Sequence, residues 1–406
     1  MIVIGGGMYL ERCQFPSWEH VYGSAGRAAA SIAAHHSKLL VSTLSTKAGE
    51  GSKSTIAAAF GFDVTFESHA NDILFTYTHP LAVPTITPPL HTLTRTKTLH
   101  AAGKVVLRFG MVEGTVVADG ERVVYDPQNV HMPEPFHDNG SKARTLAVVC
   151  NRREGSQLTK KREPAAIAEA LMHSHRAEVV VVKCGSSGAL VKTSRSSKMI
   201  PSYSAEEVFS IGSGDVFSAM FTYFWGLKKT SPFQAADLAS RATARYCATR
   251  TLPIPKNFAT ANDVTLVANN VLAKGGRAAK KYDVYLAGPF FSMSQRWLIE
   301  ETRRSLMDMG LRVFSPIHDV GGGADTKVAQ ADLKALHKSA VLFGILDGMD
   351  PGTLFEFGYA HSIGLPAIAF LDRPTGIDLK MVSGTGTRIF KDFASAVYAT
   401  AWTAHA

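Results

Sequence analysis

The chain has 406 residues, is 46% hydrophobic and 19% charged, and carries a formal net charge of +9. That is apolar material enough for real cores, and the length predicts two domains. No run of 18 or more apolar residues occurs, which excludes a membrane-spanning helix.

The opening MIVIGGGMYLERC lacks the basic lead of a signal peptide and reads as a first strand. Further short β-rich segments follow: KLLVSTL, DVTFES and DILFTYTH. HPLAVPTITPPL, residues 79–90, reads as a Pro-rich loop. From residue 104 the pattern becomes strand–helix alternation. The runs KVVLRFG, TLAVVCN and EVVVVKCG are continuously apolar, as strands buried on both faces are. EPAAIAEALMHSH, between the last two, reads as a crossover helix. Around 252–280 the pattern breaks: LPIPKNF, then TANDVTLVANNVLA as a predicted helix, then LAKGGRAAKKYD. This places a domain boundary near 270–280, between domains at 1–270 and 280–406. A second alternation begins with the strand YDVYLAGP and a helix over 294–309. It continues through LRVFSP, the loop IHDVGGGADT, a helix over 328–338 and the strand AVLFGILDG. A helix over 353–363, the strand PAIAFLD and a last helix near 392–403 close it.

Charge and cysteines narrow the partners. Residues 1–280 hold 31 Lys and Arg against 21 Asp and Glu; residues 281–406 hold 12 against 13. The basic residues form no long run and do not alternate with aromatics, so a small phosphorylated ligand is expected and nucleic acid is not. Cys13, Cys150, Cys184 and Cys247 show no C-x-x-C spacing and no neighbouring His. They read as reduced thiols of a cytoplasmic protein rather than as zinc ligands.

Two stretches carry chemistry. In VFSIGSGDVFSAMFTYFWG, Gly212 and Gly214 flank Ser213, and Asp215 opens an apolar helical run. Glycines let the backbone approach a ligand, and a helix N-terminus faces an anion. An acid there is placed to take a proton from an attacking hydroxyl. Taken alone, the stretch is equally a Gly-rich turn with Asp215 as a helix cap. The second stretch is DPGTLFEFGYA, which sets Glu356 in an apolar run expected to open a buried helix. Gly352 is expected to make a tight turn there and Thr353 to cap the helix. Asp347 and Asp350 precede Glu356, Gly288-Pro289 ends another strand, and Asp332 lies in a third helix. Each of these acids alone reads as a turn former, a cap or a solvated residue. At the carboxyl edge of a parallel sheet, the loops that carry them form the ligand crevice.

GSGD at 212–215, VVVKCGSSGALV at 180–191, VVYDPQN at 123–129 and NRRE at 151–154 stand in an order that resembles the ribokinase-like (PfkB) family of carbohydrate and nucleoside kinases. The resemblance covers roughly residues 1–260. It implies an α/β/α fold, with ATP and Mg2+ as cofactors and Asp215 as the catalytic Asp, a base. It further implies an anion hole at Gly212, Ser213 and Gly214, nucleotide contacts at Lys183 and Gly185, and metal organisation by Asn151 and Glu154. The chain departs from that family near its start. YGSAGRAAASIA puts Arg27 in the neighbourhood of a substrate-binding Asn, and Glu11 is the acid nearest to where an Asp is expected.

YLAGP, DL-x-A, LDG and D-x-GT-x-x-E-x-GYA, in order across 281–406, resemble the nucleoside 2-deoxyribosyltransferase family. That resemblance implies a smaller flavodoxin-like parallel-sheet α/β domain without a cofactor. Glu356 would be the nucleophile on the anomeric carbon and Asp350 the acid that helps protonate the leaving base. Asp332 and Asp347 would support the nucleobase, with Gly288, Pro289 and Gly352 around the substrate. Related transferases assemble into oligomers, so a homo-oligomer is expected. Joined, the resemblances imply a bifunctional enzyme of nucleoside metabolism that acts on nucleosides or nucleotides. The alternative is an N-glycosidase effector regulated by a non-catalytic, ligand-sensing kinase-like domain.

Overall fold

The computed structural model describes residues 1–128, 133–260, 267–269, 280–322, 324–373 and 379–405. It divides into two compact units, residues 1–205 with 209–270, and residues 206–208 with 271–406.

The larger unit begins with β1 (Ile2–Gly5), β2 (Leu10–Cys13), β3 (Trp18–Val21), α1 (Gly23–Ile32), β4 (Leu39–Ser45), α2 (Glu50–Phe60) and β5 (Asp63–Ser68). Next come β6 (Leu74–Tyr77), β7 (Thr85–Thr87), β8 (Lys97–Phe109), β9 (Gly114–Asp126), β10 (Lys142–Asn151), α3 (Arg152–Thr159) and α4 (Pro164–Ser174). It continues through β11 (Val179–Lys183), β12 (Ala189–Thr193), β13 (Ser197–Ile200), β14 (Ser202–Ser204), α5 (Ser213–Phe221), α6 (Pro232–Thr249) and β15 (Val267–Asn269). Nine strands form one sheet in the order β13-β12-β11-β10-β9-β8-β1-β4-β5, parallel except at the β12 and β13 edge. Strand alternation sends Ile2 and Ile4 to one face, against Ala25 and Ala29 of α1, Val216 of α5 and Ala239 of α6. Val3, Val148 and Val180 go to the other face, against Ile167 and Leu171 of α4.

That second face holds an unexpected layer. β8 and β9 pair in parallel from Lys97↔Gly114 to Phe109↔Asp126. A straight strand of that length spans about 40 Å, whereas the link 110–113 reaches at most about 18 Å. Both strands therefore double back. Leu99, Ala101, Val116 and Ala118, from their first halves, pack with Val3, Val106 and Val123. Gly103 pairs with Gly120 between the two halves, and a Cβ on Gly120 would sit 2.9 Å from the Gly103 carbonyl oxygen. The folded-over ribbon thus covers ground where a crossover helix normally lies.

The Pro-rich stretch also departs from expectation. It contributes β7 to a four-stranded sheet, β3-β2-β6-β7. Of the helix expected over TANDVTLVANNVLA, the structure describes Thr260 and Val267–Asn269; the latter form a strand antiparallel to Ser202–Ser204, and the rest lies outside the described residues. Cys13, Cys150 and Cys184 are buried. Among the described residues no helix is long and apolar enough to cross a membrane.

The smaller unit carries β16 (Tyr282–Ala287), α7 (Met293–Asp308), β17 (Val313–Phe314), α8 (Pro316–Asp319), α9 (Asp325–His337) and β18 (Ser339–Ile345). α10 (Pro351–Ser362), β19 (Ala367–Phe370), α11 (Lys380–Gly384), β20 (Arg388–Phe390) and α12 (Phe393–His405) complete it. Its five strands are all parallel, in the order β17-β16-β18-β19-β20. This doubly wound 2-1-3-4-5 order reverses direction at β16 and β18. A crevice therefore opens beyond their carboxyl ends.

The folded-over layer is testable at Gly5, where an added Cβ would lie 2.4 Å from Val116 Cγ1 and 3.2 Å from Ala101 Cβ. Gly5→Ala is expected to lower stability by about 1–3 kcal/mol, read as a lower denaturant midpoint.

Candidate functional site

In the larger unit the described polar groups gather where β1, β9, β10 and β11 end. α1 starts at Gly23, where φ is +55° and a Cβ would lie 2.5 Å from the Gly7 carbonyl oxygen, so only glycine fits. This brings Arg27 of α1 beneath the start of α5. The Arg27 guanidinium bonds Asp215 Oδ2 at 2.7 Å and Glu11 Oε2 at 2.5 Å, with Arg27 fully buried. Asp215 Oδ1 accepts from Gln128 Nε2 at 2.5 Å. Gly212, with φ +77°, is the N-cap of α5, and Ser213 and Gly214 form its first turn. Lys183 Nζ would lie 3.3 Å from a Cβ on residue 214, so a glycine there leaves room for a ligand beside the ammonium.

Lys183 also bonds Asp126 Oδ2 at 2.8 Å, and Ser218 Oγ donates to the same oxygen at 2.6 Å. Asp126 Oδ1 is buried without a hydrogen-bond partner among the described residues. Burial pushes the Asp126 carboxyl up, against the pull of Lys183. Burial works to lower Lys183 as well, but the charges of Asp126 and Glu154 hold it above its ordinary value.

Asn151 and Glu154 form a capping box at the start of α3. Asn151 Oδ1 accepts from Glu154 N–H at 2.8 Å, and Glu154 accepts from Asn151 N–H at 2.8 Å and from Asn151 Nδ2 at 2.7 Å. Burial, then the Asp126 charge, raises Glu154 to about 7. Gly185 lies in an exposed turn with φ +57° and open space around it. The residues therefore fit a phosphate group: the α5 start and Lys183 supply donors and positive charge. They do not form an all-protein Mg2+ cage. Each Glu154 oxygen accepts one bond from Asn151, and among the described residues no three His, Cys, Asp or Glu side chains stand together, so a metal there would take its remaining ligands from phosphate and water.

In the smaller unit, Tyr285 points from β16 to α10 and its hydroxyl donates to Glu356 Oε1. Burial, joined by the charges of Asp332 and Asp350 and opposed by the Tyr285 hydrogen bond, raises Glu356 to about 8. Burial alone raises Asp332, on α9, to about 6. Its Oδ1 is buried without a hydrogen-bond partner among the described residues.

The other expected residues have local work. Asp350 is the N-cap of α10, accepting from Thr353 N–H at 2.7 Å and from Thr353 Oγ1 at 2.8 Å. Thr353 is therefore a donor to the cap, not the cap. Gly352 sits inside the first helical turn rather than in a tight turn; a Cβ there would approach Asp350 Oδ2 to 3.1 Å. Asp347 accepts from the N–H groups of Asp372 and Arg373 at 3.1 and 3.0 Å, tying down the loop after β19. At Gly288 a Cβ would meet Ile299 Cδ1 at 2.9 Å and Ile345 Cβ at 3.1 Å, so a side chain would force the β16 exit, with Pro289, away from α7 and β18. α10 is not buried all round. Thr353, Phe357 and Ala360 face inward, while Phe355 is 63% exposed.

Tyr285, Asp126, Gln128 and Ser218 were not singled out from the sequence. A lone tyrosine in the buried strand VYLA was the available signal for Tyr285, and the acid ending VVYD for Asp126.

Comparison with known proteins agrees with this division. Residues 121–254 match the family model described as pfkB family carbohydrate kinase, and residues 284–385 match the one for nucleoside 2-deoxyribosyltransferase. Each of the two units thus contains a segment that matches the model of an enzyme family. No curated protein matches it. Among solved structures it is similar to a pyrophosphate-dependent kinase of the ribokinase family complexed with a pyrophosphate analog and myo-inositol. Identity is 17%, coverage 63% of this chain and 97% of that one, and the TM-score 0.45. For a ribokinase from Thermotoga maritima the values are 14%, 64%, 98% and 0.46. For a fructokinase from Vibrio cholerae O395, in its fructose, ADP and calcium ion bound form, they are 13%, 62%, 94% and 0.44.

The raised Glu356 has a cost in stability. Its ordinary value is 4.5 and its folded value about 8, so between these pH values the folded chain holds a proton that the unfolded chain has released. Wild-type stability therefore falls as pH rises through that window. Glu356→Gln is expected to match the wild type below pH 4.5 and to exceed it by about 1–3 kcal/mol above pH 8, discounted for partial exposure. The unfolding transition of the smaller unit reads this.

Proposed function

We propose that the chain is a bifunctional enzyme of nucleoside metabolism. The smaller unit breaks the N-glycosidic bond of a nucleoside or deoxynucleoside, with Glu356 as nucleophile. The observation that carries this reading is the Glu356–Tyr285 hydrogen bond beside the unpartnered Asp332. The reacting form is the minority one in which the pair's one proton sits on Asp332 rather than on Glu356. Ionised Glu356 then attacks the anomeric carbon, and the carbon–nitrogen bond breaks with its electron pair on the base. Asp332, rather than the cap Asp350, gives that base its proton, because its carboxyl titrates near neutrality and one of its oxygens has no other partner. The Tyr285 hydroxyl orients Glu356 and steadies its charge before attack. Release of the sugar from Glu356 to water or to a second base completes turnover.

Nucleophile and donor together must hold one proton, so base release is expected to peak near pH 7, with limbs near 6 and 8. Glu356→Gln should cut the rate by about 10³-fold or more. Asp332→Asn should cut it about 10²-fold and abolish the alkaline limb. Chromatography of nucleosides incubated across pH checks both, and full base release by Glu356→Gln rejects the assignment.

The larger unit moves a phosphoryl group from ATP to a hydroxyl, with the donor phosphates at Ser213, Gly214 and Lys183 and with Asp215 as base. When bound, a metal would shield phosphate charge. Asp215→Asn is expected to lower ATP-dependent phosphorylation of a sugar or nucleoside by about 10²–10⁴-fold, measured as labelled phosphate in the product. One observation favours the alternative of a unit that binds nucleotide without transferring phosphate: both Asp215 oxygens are already bonded within the protein. ATP that changes base release without yielding phosphorylated product would select that reading.

A further inference from the structure

Asp215 sits in the middle of a chain of hydrogen bonds whose two sides differ. On one side Arg27, with no exposed surface, spans Asp215 at 2.7 Å and Glu11 at 2.5 Å. Arg27 lies 6.0 and 5.3 Å from the ring centres of Trp18 and Tyr22. It also packs on Gly212, where a Cβ would stand 2.1 Å from Arg27 Nε. Glu11, itself 6% exposed, further accepts from Gly23 N–H at 3.2 Å. On the other side stands Gln128, a neutral and only half-buried residue. Its Nε2 donates to Asp215 Oδ1 and its Oε1 accepts from Ser24 Oγ, each at 2.5 Å.

The two sides open at different cost. Moving Arg27 strands buried carboxylates without their cation, which is strongly unfavourable. Moving Gln128 exchanges one neutral donor for another, which is close to neutral overall. We infer that Arg27 is a positioning residue that holds Asp215 in place as a base, and that the acceptor hydroxyl takes the place of Gln128 on Asp215 Oδ1. This rests on the phosphoryl-transfer reading above. Glu11 then anchors Arg27 and is not free to bind a sugar. The acceptor oxygen bonds to the terminal phosphorus of ATP. The bond from that phosphorus to its bridging oxygen breaks with the electron pair on departing ADP, and the acceptor proton passes to Asp215. One guanidinium between two carboxylates leaves this cluster net negative, so the site selects uncharged hydroxyl compounds over sugar phosphates.

The full chain, ATP, and a panel of uncharged sugars, nucleosides and sugar phosphates test this. Arg27→Ala is expected to lower kcat about 10²-fold or more, with the KM for ATP within about threefold, and millimolar guanidinium should restore part of the loss. Should Arg27→Ala fail to fold, Arg27→Lys carries the test. A lysine keeps the buried positive charge but cannot span both acids, so the chain should still fold, at reduced stability, and kcat should fall about tenfold. Gln128→Ala removes the acceptor's competitor and should lower the acceptor KM about threefold. Wild-type kcat in Arg27→Lys, a folded Arg27→Ala that guanidinium does not rescue, a raised acceptor KM in Gln128→Ala, or a preference for sugar phosphates would each overturn the inference. A wild-type chain that transfers phosphate to no acceptor removes the kinase reading itself, and this inference with it.

Discussion

Burying a carboxylate is costly unless something answers its charge, and this constraint organises both candidate sites. The two units answer it differently. In the larger one, ion pairs do the work: Arg27 stands between Glu11 and Asp215, and Lys183 against Asp126. In the smaller one no cation among the described residues joins Glu356 and Asp332. Glu356 keeps one tyrosine hydroxyl, and Asp332 leaves a buried oxygen without a partner among the described residues. The first arrangement fixes the acids against cations. The second lifts them toward neutral pH, where a carboxyl can exchange a proton during a reaction.

Both arrangements exist because parallel sheets deliver loops and helix starts to one edge. In the smaller unit the 2-1-3-4-5 order sets β16 beside β18, so Tyr285 reaches the helix that follows β18. In the larger unit β9, β10 and β11 end side by side, and Asp126, Asn151 and Lys183 stand at or just inside those ends. The doubled-back ribbon of β8 and β9 bears on this indirectly. It fills part of one face of the sheet, beside α4, where a crossover helix would otherwise lie, and β9 pairs in parallel with β10.

Much of the fold was readable in order along the chain. The valine-rich runs that became β10 and β11 were continuous, as strands covered on both faces are, and the helix over Pro164–Ser174 had proline at its first turn. The doubling-back of β8 was not readable. KTLHAAG alternates like an ordinary exposed strand, and only its packing on Val3 and Val116 shows which way it folds. The Pro-rich stretch hid β7 for a similar reason, since Thr85–Thr87 is a strand through its pairing with Leu74–Thr76 rather than through its own composition. Among the site residues, Glu356 and Asp215 stood out because each is an acid in an apolar helical run.

Local sequence by itself determined the two alternating α/β patterns, the glycine turn before Asp215 and the acid in the first turns of α10. These depend on neighbours a few residues away. Which group answers each acid was decided only in three dimensions. Arg27 and Asp215 are 188 positions apart, and Tyr285 and Glu356 are 71 apart. Desolvation and hydrogen bonding depend on what stands beside a side chain in space, and chain folding rather than chain order sets that.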